Sequence, residues 1–296
     1  MDGLLLVDKP LGVTSYDVIR KLRKVADTSK IGHTGTLDPH ASGLLPLVVG
    51  KCTKLANFLS LDTKAYDFEM ELGTETETGD IEGEAVRECP WEHVTEEDIA
   101  DVCERLIGEI EQVPPIYSAI KVDGKRAYER ARDGEEFELQ ARTVRIDSLE
   151  LLAFAPPRAR LHVRCGSGTY VRALVRDMGG MLGSCAYTTA IRRTGVGSFR
   201  LEEATPLDQI TPENIDALLL PPRELMRDLP AYHADRDEAA ALSYGQSIRL
   251  RESDIEITID EYVAVIDELG ELAAVTRAAK TPRGFELKPS RVLKAN

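Results

Sequence analysis

The chain has 296 residues, of which 43% are hydrophobic and 30% are charged. This length allows two domains or one large one, and the composition excludes an intrinsically disordered chain. The formal net charge of −14 argues against a nucleic-acid partner, because proteins that bind polyanions usually carry excess lysine and arginine. The charge is uneven, however: residues 61–112 carry −15, whereas residues 1–60 carry +3 and residues 113–200 carry +6. The total therefore does not exclude RNA.

The sequence does not show the features expected of membrane-spanning, secreted or zinc-binding proteins. The longest apolar stretches, residues 43–50 and 151–157, both contain proline and fall short of the roughly 20 residues that span a bilayer. The N-terminus lacks the basic-then-apolar order of a signal peptide. The five cysteines are widely spaced and form no zinc motif. We therefore expect five reduced thiols in a cytoplasmic protein.

In chain order, the first predicted element is a short buried strand at residues 4–7. A helix over residues 18–25 follows, because apolar side chains recur there at helical spacing, and either Thr14 or Ser15 provides its N-cap. Residues 31–39 are rich in Gly, Thr and Pro and predict a structured loop. The next predicted elements are a strand at residues 66–72, an acidic loop at residues 74–83 and a helix at residues 95–106. Thr95 is the expected N-cap of this helix, and Asp98 is a weak candidate for the carboxylate of a capping box.

The second half of the chain mixes strands and helices. The predicted elements are a break at residues 112–115, a hairpin turn at 122–125, a short helix at 127–132, strands at 142–152 and 158–165, a tight loop at 166–169 and a helix at 171–182. From residue 232 on, strand-like runs at residues 247–250, 255–259, 262–266 and 271–276 predict a small, mainly β domain. This mixed order favours an α+β fold over a doubly wound sheet.

The sequence lacks the fingerprints of common cofactor and hydrolase sites. It contains no complete dinucleotide-binding, P-loop, nucleophile-elbow or HExxH motif, and its five histidines do not cluster. Asp38 is the only acidic residue between Asp27 and Asp62, in a loop of Gly, Thr and Pro. On composition alone, a turn residue explains Asp38, helix-start packing explains Tyr170, and a solvated helix position explains Arg172.

Six sequence blocks change this interpretation. They are LLVDKPLGVTS at residues 5–15, GHTGTLDPHASGLL at 32–45, KAY with a following LG and T at 64–76, QVPPIYSAIK at 112–121, GKRAY at 124–128 and SGTYVR at 167–172. In this order they resemble the TruB family of pseudouridine synthases, which convert the uridine at tRNA position 55 to pseudouridine. The resemblance covers nearly all of residues 3–200. Ser42 stands where the family often has Thr, and Ile191 stands where it more often has Leu.

The resemblance implies a role for each matching residue. Asp38 matches the essential aspartate, which attacks the target nucleoside at its sugar or at its base. Arg172 matches the arginine that pairs with this carboxylate. Tyr66 matches the tyrosine that stacks on the flipped base, and it is also a candidate for taking the C5 proton. The other implied site residues are Lys9 for support of the active-site loop or the RNA backbone, His33 for base flipping, and Tyr170 and Ile191 for lining the base pocket.

The resemblance also implies the architecture and the partner. Residues 1–230 are expected to form a catalytic domain with a mixed, mainly antiparallel sheet flanked by helices, and residues 231–296 a PUA-like RNA-binding domain. An insertion at about residues 121–150 is expected to clamp the T arm. The candidates for contacts with RNA phosphates are Arg126, Arg130, Arg132, Arg142 and Arg145. Since the reaction is an isomerisation, we expect that it needs neither a metal nor a nucleotide cofactor. We also expect a monomer that binds the T arm of tRNA and does not bind a membrane.

Two other functions fit parts of the sequence. An RNA-binding folding chaperone, for which catalysis is secondary, uses the same basic segments. An acidic globular protein without any RNA role fits the net charge alone. The presence of Asp38, Tyr66 and Arg172 together favours an enzyme.

Overall fold

The computed structural model describes residues 1–59, 63–118, 120–122, 124–135, 137–250, 257–282 and 284–293. Its strands are β1 (Gly3–Lys9), β2 (Ile31–His33), β3 (Ala41–Val49), β4 (Thr63–Leu72), β5 (Thr74–Thr76), β6 (Ala85–Glu88), β7 (Gly108–Gln112), β8 (Lys121–Val122), β9 (Lys125–Arg126), β10 (Arg142–Ala155), β11 (Arg158–Gly166), β12 (Ala186–Val196), β13 (Phe199–Arg200), β14 (Thr205–Pro206), β15 (Ala231–His233), β16 (Ile248–Arg249), β17 (Tyr262–Ile266), β18 (Leu272–Thr281) and β19 (Gly284–Val292).

The α-helices are α1 (Ser15–Val25), α2 (Glu96–Arg105), α3 (Ala127–Arg132), α4 (Val171–Met181), α5 (Ile215–Leu218) and α6 (Arg236–Ser243). Short 3₁₀ helices occupy Gly50–Phe58, Leu201–Glu203, Leu207–Gln209 and Pro222–Met226. Within the described ranges, none of these helices has the length and apolar character needed to cross a membrane.

The chain divides into two compact units. Unit 1 comprises residues 1–39, 43–61 and 197–296, and unit 2 comprises residues 40–42 and 62–196. The domain boundary expected at residues 230 and 231 stays a prediction.

Unit 1 is built on β1 and β3, which pair antiparallel from Gly3 opposite Val49 to Lys9 opposite Gly43. Strand β14 lies parallel to β1, and β2 pairs with β3. All nine residues of β3 are buried. Helix α1 begins with a capping box: the Thr14 hydroxyl accepts from the main-chain N–H of Asp17, whose carboxylate accepts from the Thr14 N–H. Thr14, of the two expected candidates, is therefore the N-cap.

Unit 2 is built on an antiparallel sheet in the order β12-β4-β11-β10-β7. Strand β4 alternates between buried side chains, from Tyr66 to Leu72, and partly exposed polar ones, as expected of a sheet with one solvated face. Helix α4 packs against β12 and β4 and buries Val171, Leu174 and Met178. Helix α4, whose first turn contains Arg172, is therefore positioned by β12 and β4.

The C-terminal residues of unit 1 have a sheet and core of their own. The strand order is β15-β17-β18-β19-β16. Its core includes Leu242 of α6, Val263 and Val265 of β17, Ala274 of β18 and Leu287 of β19. A β-rich C-terminal region agrees with the expectation from sequence, although residues 251–256, 283 and 294–296 lie outside the described residues.

Most expected elements are confirmed, including α2 with its Thr95–Asp98 capping box, α3 and α4. Three were wrong. Residues 31–33 form a strand, not a loop, because β3 supplies a pairing edge. The acidic loop begins with β5, which pairs with β6. Residues 257–259 form no strand, and the other two residues of the expected run at 255–259 lie outside the described residues. The expected turn at 122–125 joins β8 and β9, although Asp123 likewise lies outside them.

The expectation of five reduced thiols was also wrong. Cys89 and Cys185 form a disulfide, with Cα atoms 5.7 Å apart and a sequence separation of 96. Gly73 aligns the two cysteines, because its N–H donates to the Cys185 carbonyl and its carbonyl accepts from the Cys89 N–H. The remaining cysteines, Cys52, Cys103 and Cys165, carry buried thiols. Burial raises the pKa of each of these thiols to about 11.

Candidate active site

Asp38 lies in unit 1 on a loop whose main chain is held on both sides. On the N-terminal side, the hydroxyl of Ser15 accepts from the Leu37 N–H at 2.9 Å and donates to the Leu37 carbonyl at 3.0 Å. Ser15 is 2% exposed and Leu37 is 4% exposed, so water cannot replace these bonds without opening the loop. A single hydroxyl thereby fixes both polar main-chain groups of the residue before Asp38.

On the C-terminal side, the Pro39 carbonyl accepts from the Gly12 N–H at 2.9 Å and from the Lys9 ammonium at 3.5 Å. The Lys9 side chain is fully buried and also donates to the carbonyls of Val13 at 2.7 Å and Pro10 at 3.0 Å. Gly12 has φ +80°, a conformation that L-residues adopt only at a cost. The structure thus places Lys9 inside the loop as a positive charge bound to carbonyl oxygens.

His33 is the last residue of β2, opposite Leu47 of β3, and its side chain is exposed. The side chain is thus accessible to a ligand, while its main chain belongs to the sheet of unit 1. The strand replaces the loop expected at this position.

Tyr66 lies in unit 2 on β4, directly opposite Arg193 of β12. The two side chains are hydrogen-bonded, and Arg193 is 1% exposed. Burial lowers the pKa of the Arg193 guanidinium, and the bond to Tyr66 opposes this shift. A buried cation therefore lies against the hydroxyl of the tyrosine that the resemblance assigns to the base. Ile191 of β12 is half-buried and lies opposite Phe68 of β4 in the strand register.

Arg172 lies in the first turn of α4 and is 5% exposed. Its guanidinium donates to the carbonyls of Thr78 and Tyr117, both at 2.9 Å. It also forms an ion pair with Asp80 at 3.4 Å. These contacts come from two separate loops, one with Thr78 and Asp80 and the other with Tyr117. Together they fix the orientation of the buried guanidinium.

The loop that carries Asp80 is itself held by local hydrogen bonds. The Thr78 hydroxyl donates to the Asp80 carboxylate at 2.5 Å, and the Glu82 N–H donates to the same oxygen at 3.1 Å. The Thr76 hydroxyl donates to the Asp80 carbonyl at 2.8 Å. Gly79, between them, has φ +72°, which favours glycine. The acidic segment therefore contributes an ordered, buried carboxylate to Arg172.

Tyr170 precedes α4 and serves as its N-cap residue, without a side-chain cap. The fully buried Gln112, at the end of β7, accepts from the Tyr170 N–H at 2.8 Å and donates to the Tyr170 carbonyl at 3.2 Å. Arg142 lies with its guanidinium 5.0 Å from the centre of the Tyr170 ring and donates to the Gly168 carbonyl at 2.5 Å. The loop before α4 is therefore tied to the edge of the sheet.

The other arginines expected to contact RNA differ in their surroundings. Arg145 is exposed and pairs with Asp147 at 2.8 Å. Arg130 pairs with Glu135 at 2.7 Å and lies over the Phe137 ring, 4.8 Å from its centre. The side chains of the remaining two, Arg126 and Arg132, lie outside the described part of the structure.

A cavity of about 380 Å³ lies beside the Arg172 side chain in unit 2. Its walls come from residues 75–79, 113–116 and 137–139, together with Arg176 of α4. Among the residues that the structure describes, no group of three or more His, Cys, Asp and Glu side chains is arranged to hold a metal ion.

Sequence reasoning missed four buried polar residues that contact the expected site. They are Ser15, Asp80, Gln112 and Arg193. Ser15 was taken as a candidate cap, and Asp80 was one acid among many in its segment. Gln112 opens the matching block at residues 112–121, and Arg193 lies outside all six blocks. Their roles depend on distant partners, so spacing alone could not reveal them.

Residues 23–171 match the model of the TruB family pseudouridylate synthase N-terminal domain. The chain is 46% identical over 249 residues to tRNA pseudouridine synthase B of Aromatoleum aromaticum, covering 83% of this chain and 80% of that protein. It is 43% identical over 283 residues to the protein of the same name from Rhodococcus jostii, covering 92% and 89%. A chain in the crystal structure of a Cbf5–Nop10–Gar1 complex is 25% identical with a TM-score of 0.74, covering 98% of this chain and 84% of that one.

Proposed function

The chain belongs to the TruB family of pseudouridine synthases, and we propose that it isomerises uridine 55 in the T loop of tRNA to pseudouridine. Two relatives over 40% identical are named for tRNA, and the resemblance of the six blocks points to position 55. The observation that carries the proposal is the loop at Asp38. Ser15, Gly12 and Lys9 hold the main chain of both its neighbours, as a reacting carboxylate requires.

The proposed reaction breaks the bond between N1 and C1′ of uridine and forms a bond between C5 and C1′. The C5 proton leaves and N1 gains a proton, so neither an electron carrier nor nucleotide energy is needed. Asp38 acts as the nucleophile, at the sugar or at the base. Arg172 is the residue proposed to pair with this carboxylate.

The target base must leave its stack to reach the carboxylate, which costs a few kcal/mol. Stacking on Tyr66 returns about 1–3 kcal/mol of this cost. Its hydroxyl is bonded to the buried Arg193, which restricts how the ring can turn. Tyr170 and Ile191 line the remaining sides of the proposed base pocket, and His33 assists flipping.

Binding of the tRNA backbone requires exposed cations. Arg145 meets this condition, and Arg130 lies in the insertion proposed to clamp the T arm. We expect affinity for a T-arm stem-loop to fall with increasing salt, because phosphate contacts release counterions. We further propose that the enzyme acts in the cytoplasm and that it acts as a monomer. Sedimentation of the pure protein, with and without tRNA, tests the oligomeric state.

A tRNA-folding chaperone is the competing function, and Asp38→Asn separates the two. If the protein is an enzyme, this variant stops release of tritium from C5-labelled uridine in tRNA while tRNA binding persists. Pseudouridine formation by the variant at the wild-type rate would overturn the assignment of the nucleophile. A wild-type protein that binds tRNA without releasing tritium would favour the chaperone.

A further inference from the structure

We propose that Gln112 and Arg142 are positioning residues that fix Tyr170 and Arg172 for the reaction. This inference rests on the proposed function, and it gives Arg142 a different role from the phosphate contact expected from sequence. Neither side chain is proposed to touch the substrate. Both act through the loop of residues 166–170, which leads from β11 into α4.

Gln112 holds the main chain of Tyr170 with both ends of its amide group. The carboxamide oxygen accepts from the Tyr170 N–H and the amide nitrogen donates to the Tyr170 carbonyl, as a neighbouring β-strand would do. The side chain is 0% exposed, so a lost bond leaves buried polar groups unsatisfied. Since Tyr170 is the N-cap residue and has no side-chain cap, Gln112 determines where α4 begins.

Arg142 holds the same loop from its other side. One guanidinium nitrogen donates to the Gly168 carbonyl, and the guanidinium lies over the Tyr170 ring in a cation–π arrangement. Gly168 has φ +91°, and a Cβ atom added there would lie 3.7 Å from the guanidinium carbon. The backbone conformation at Gly168 therefore favours glycine, while the guanidinium lies at ordinary van der Waals distance from the place of a Cβ.

The two residues act from one rigid support. Gln112 of β7 and Arg142 of β10 are directly opposite each other in the sheet. One fixes the main chain of Tyr170, and the other fixes its ring and the residue two positions earlier. Arg172 follows two residues later, in the first turn of α4. A shift of the helix start therefore displaces the guanidinium that is proposed to pair with Asp38.

The surroundings of Arg142 differ from those of a phosphate contact. Arg145, on the same strand, is 72% exposed in its side chain and pairs only across the surface with Asp147. Arg142, by contrast, is half-buried, and its Nε lies buried without a hydrogen-bond partner. Arg142 therefore already makes two contacts within the loop that Arg145 lacks.

The test uses Gln112→Met and Arg142→Lys in the full-length protein, with Arg158→Lys as the control. Arg158 is exposed and pairs with Glu71 at the far end of β11. Each variant is tested for single-turnover conversion of a saturating T-arm stem-loop, for its Kd, and for amide hydrogen exchange of residues 166–176 without RNA. We expect Gln112→Met and Arg142→Lys each to lose about 10- to 100-fold in rate, to keep a Kd within about twofold of the wild type, and to exchange faster in residues 166–176.

Two results would overturn the inference. One is wild-type exchange of residues 166–176 in both variants, which needs no catalysis to detect. The other is a weakened Kd for Arg142→Lys with an unchanged rate and a smaller salt dependence, which would make Arg142 a phosphate contact. A failure of the proposed function is distinct, since the wild type itself would then form no pseudouridine. The control Arg158→Lys should show the hydrogen exchange and the reaction rate of the wild type. The effects of the other two variants then come from the loop.

Discussion

Replacing Ser15 with alanine removes the hydroxyl that holds both main-chain groups of Leu37, next to Asp38. The substitution changes no charge and removes one atom. Since Ser15 is the first residue of α1, after the Thr14 cap, alanine is also an excellent helix former there. Any loss of function therefore comes from the loop and not from the helix.

The magnitude follows from the two bonds, at 2.9 Å and 3.0 Å. A hydrogen bond contributes about 1 kcal/mol net, and a buried group left unsatisfied costs about 1–3 kcal/mol. Both Leu37 groups are buried, so we expect Ser15→Ala to lower the free energy of unfolding by about 2–4 kcal/mol. We expect the rate to fall by about 100-fold, the effect of misplacing a reacting group by about 1 Å.

Urea unfolding measures the first value, and tritium release from C5-labelled tRNA under saturating conditions measures the second. Thr95→Ala is the matched control, because it removes the cap of α2 at a cost of about 1 kcal/mol in another unit. Ser15→Thr keeps the hydroxyl and should recover most of the rate. A folded Ser15→Ala protein that releases tritium as fast as Thr95→Ala would refute this account of the loop.

Three further predictions concern unit 2 and the cysteines. Asp80→Asn removes the carboxylate 3.4 Å from the buried Arg172 guanidinium, and urea unfolding should show a loss of about 3 kcal/mol. Arg193→Met should lower the free energy of unfolding by about 1–3 kcal/mol, because it removes the hydrogen bond to the buried Tyr66, and should slow tritium release about 10-fold by loosening the Tyr66 ring; an unchanged rate of release would contradict this. Native protein at pH 8 should react slowly with a thiol reagent, since burial raises the pKa of its free thiols to about 11. Unfolded protein should show three reactive thiols without reductant and five after reduction of the disulfide.

The sequence revealed the elements with a clear local period. Helix α4 was expected from its apolar spacing, and α2 from Thr95 and Asp98. Strand β3 was missed because it is buried along its whole length, so its side chains do not alternate, and because Pro46 argues against a central strand. Strand β2 owes its existence to pairing with β3. The pairing of β2 with β3 leaves no local pattern in the sequence.

The candidate site divides in the same way. The resemblance indicated Asp38, Tyr66 and Arg172 because these residues stand inside matching blocks. The residues that hold them in place depend on contacts such as that between Ser15 and Leu37, which are 22 residues apart. The disulfide between Cys89 and Cys185 is more extreme still, since the sheet and Gly73 bring the two together. Such pairs become visible only with the fold.

The most direct test of the account is mapping of pseudouridine in unmodified tRNA transcripts incubated with the pure protein. We predict pseudouridine at position 55 with the wild-type protein, none with Asp38→Asn, and none in a transcript that carries cytidine at that position. Modification at another position, or an unmodified position 55 after incubation with folded wild-type protein that binds the transcript, would contradict it.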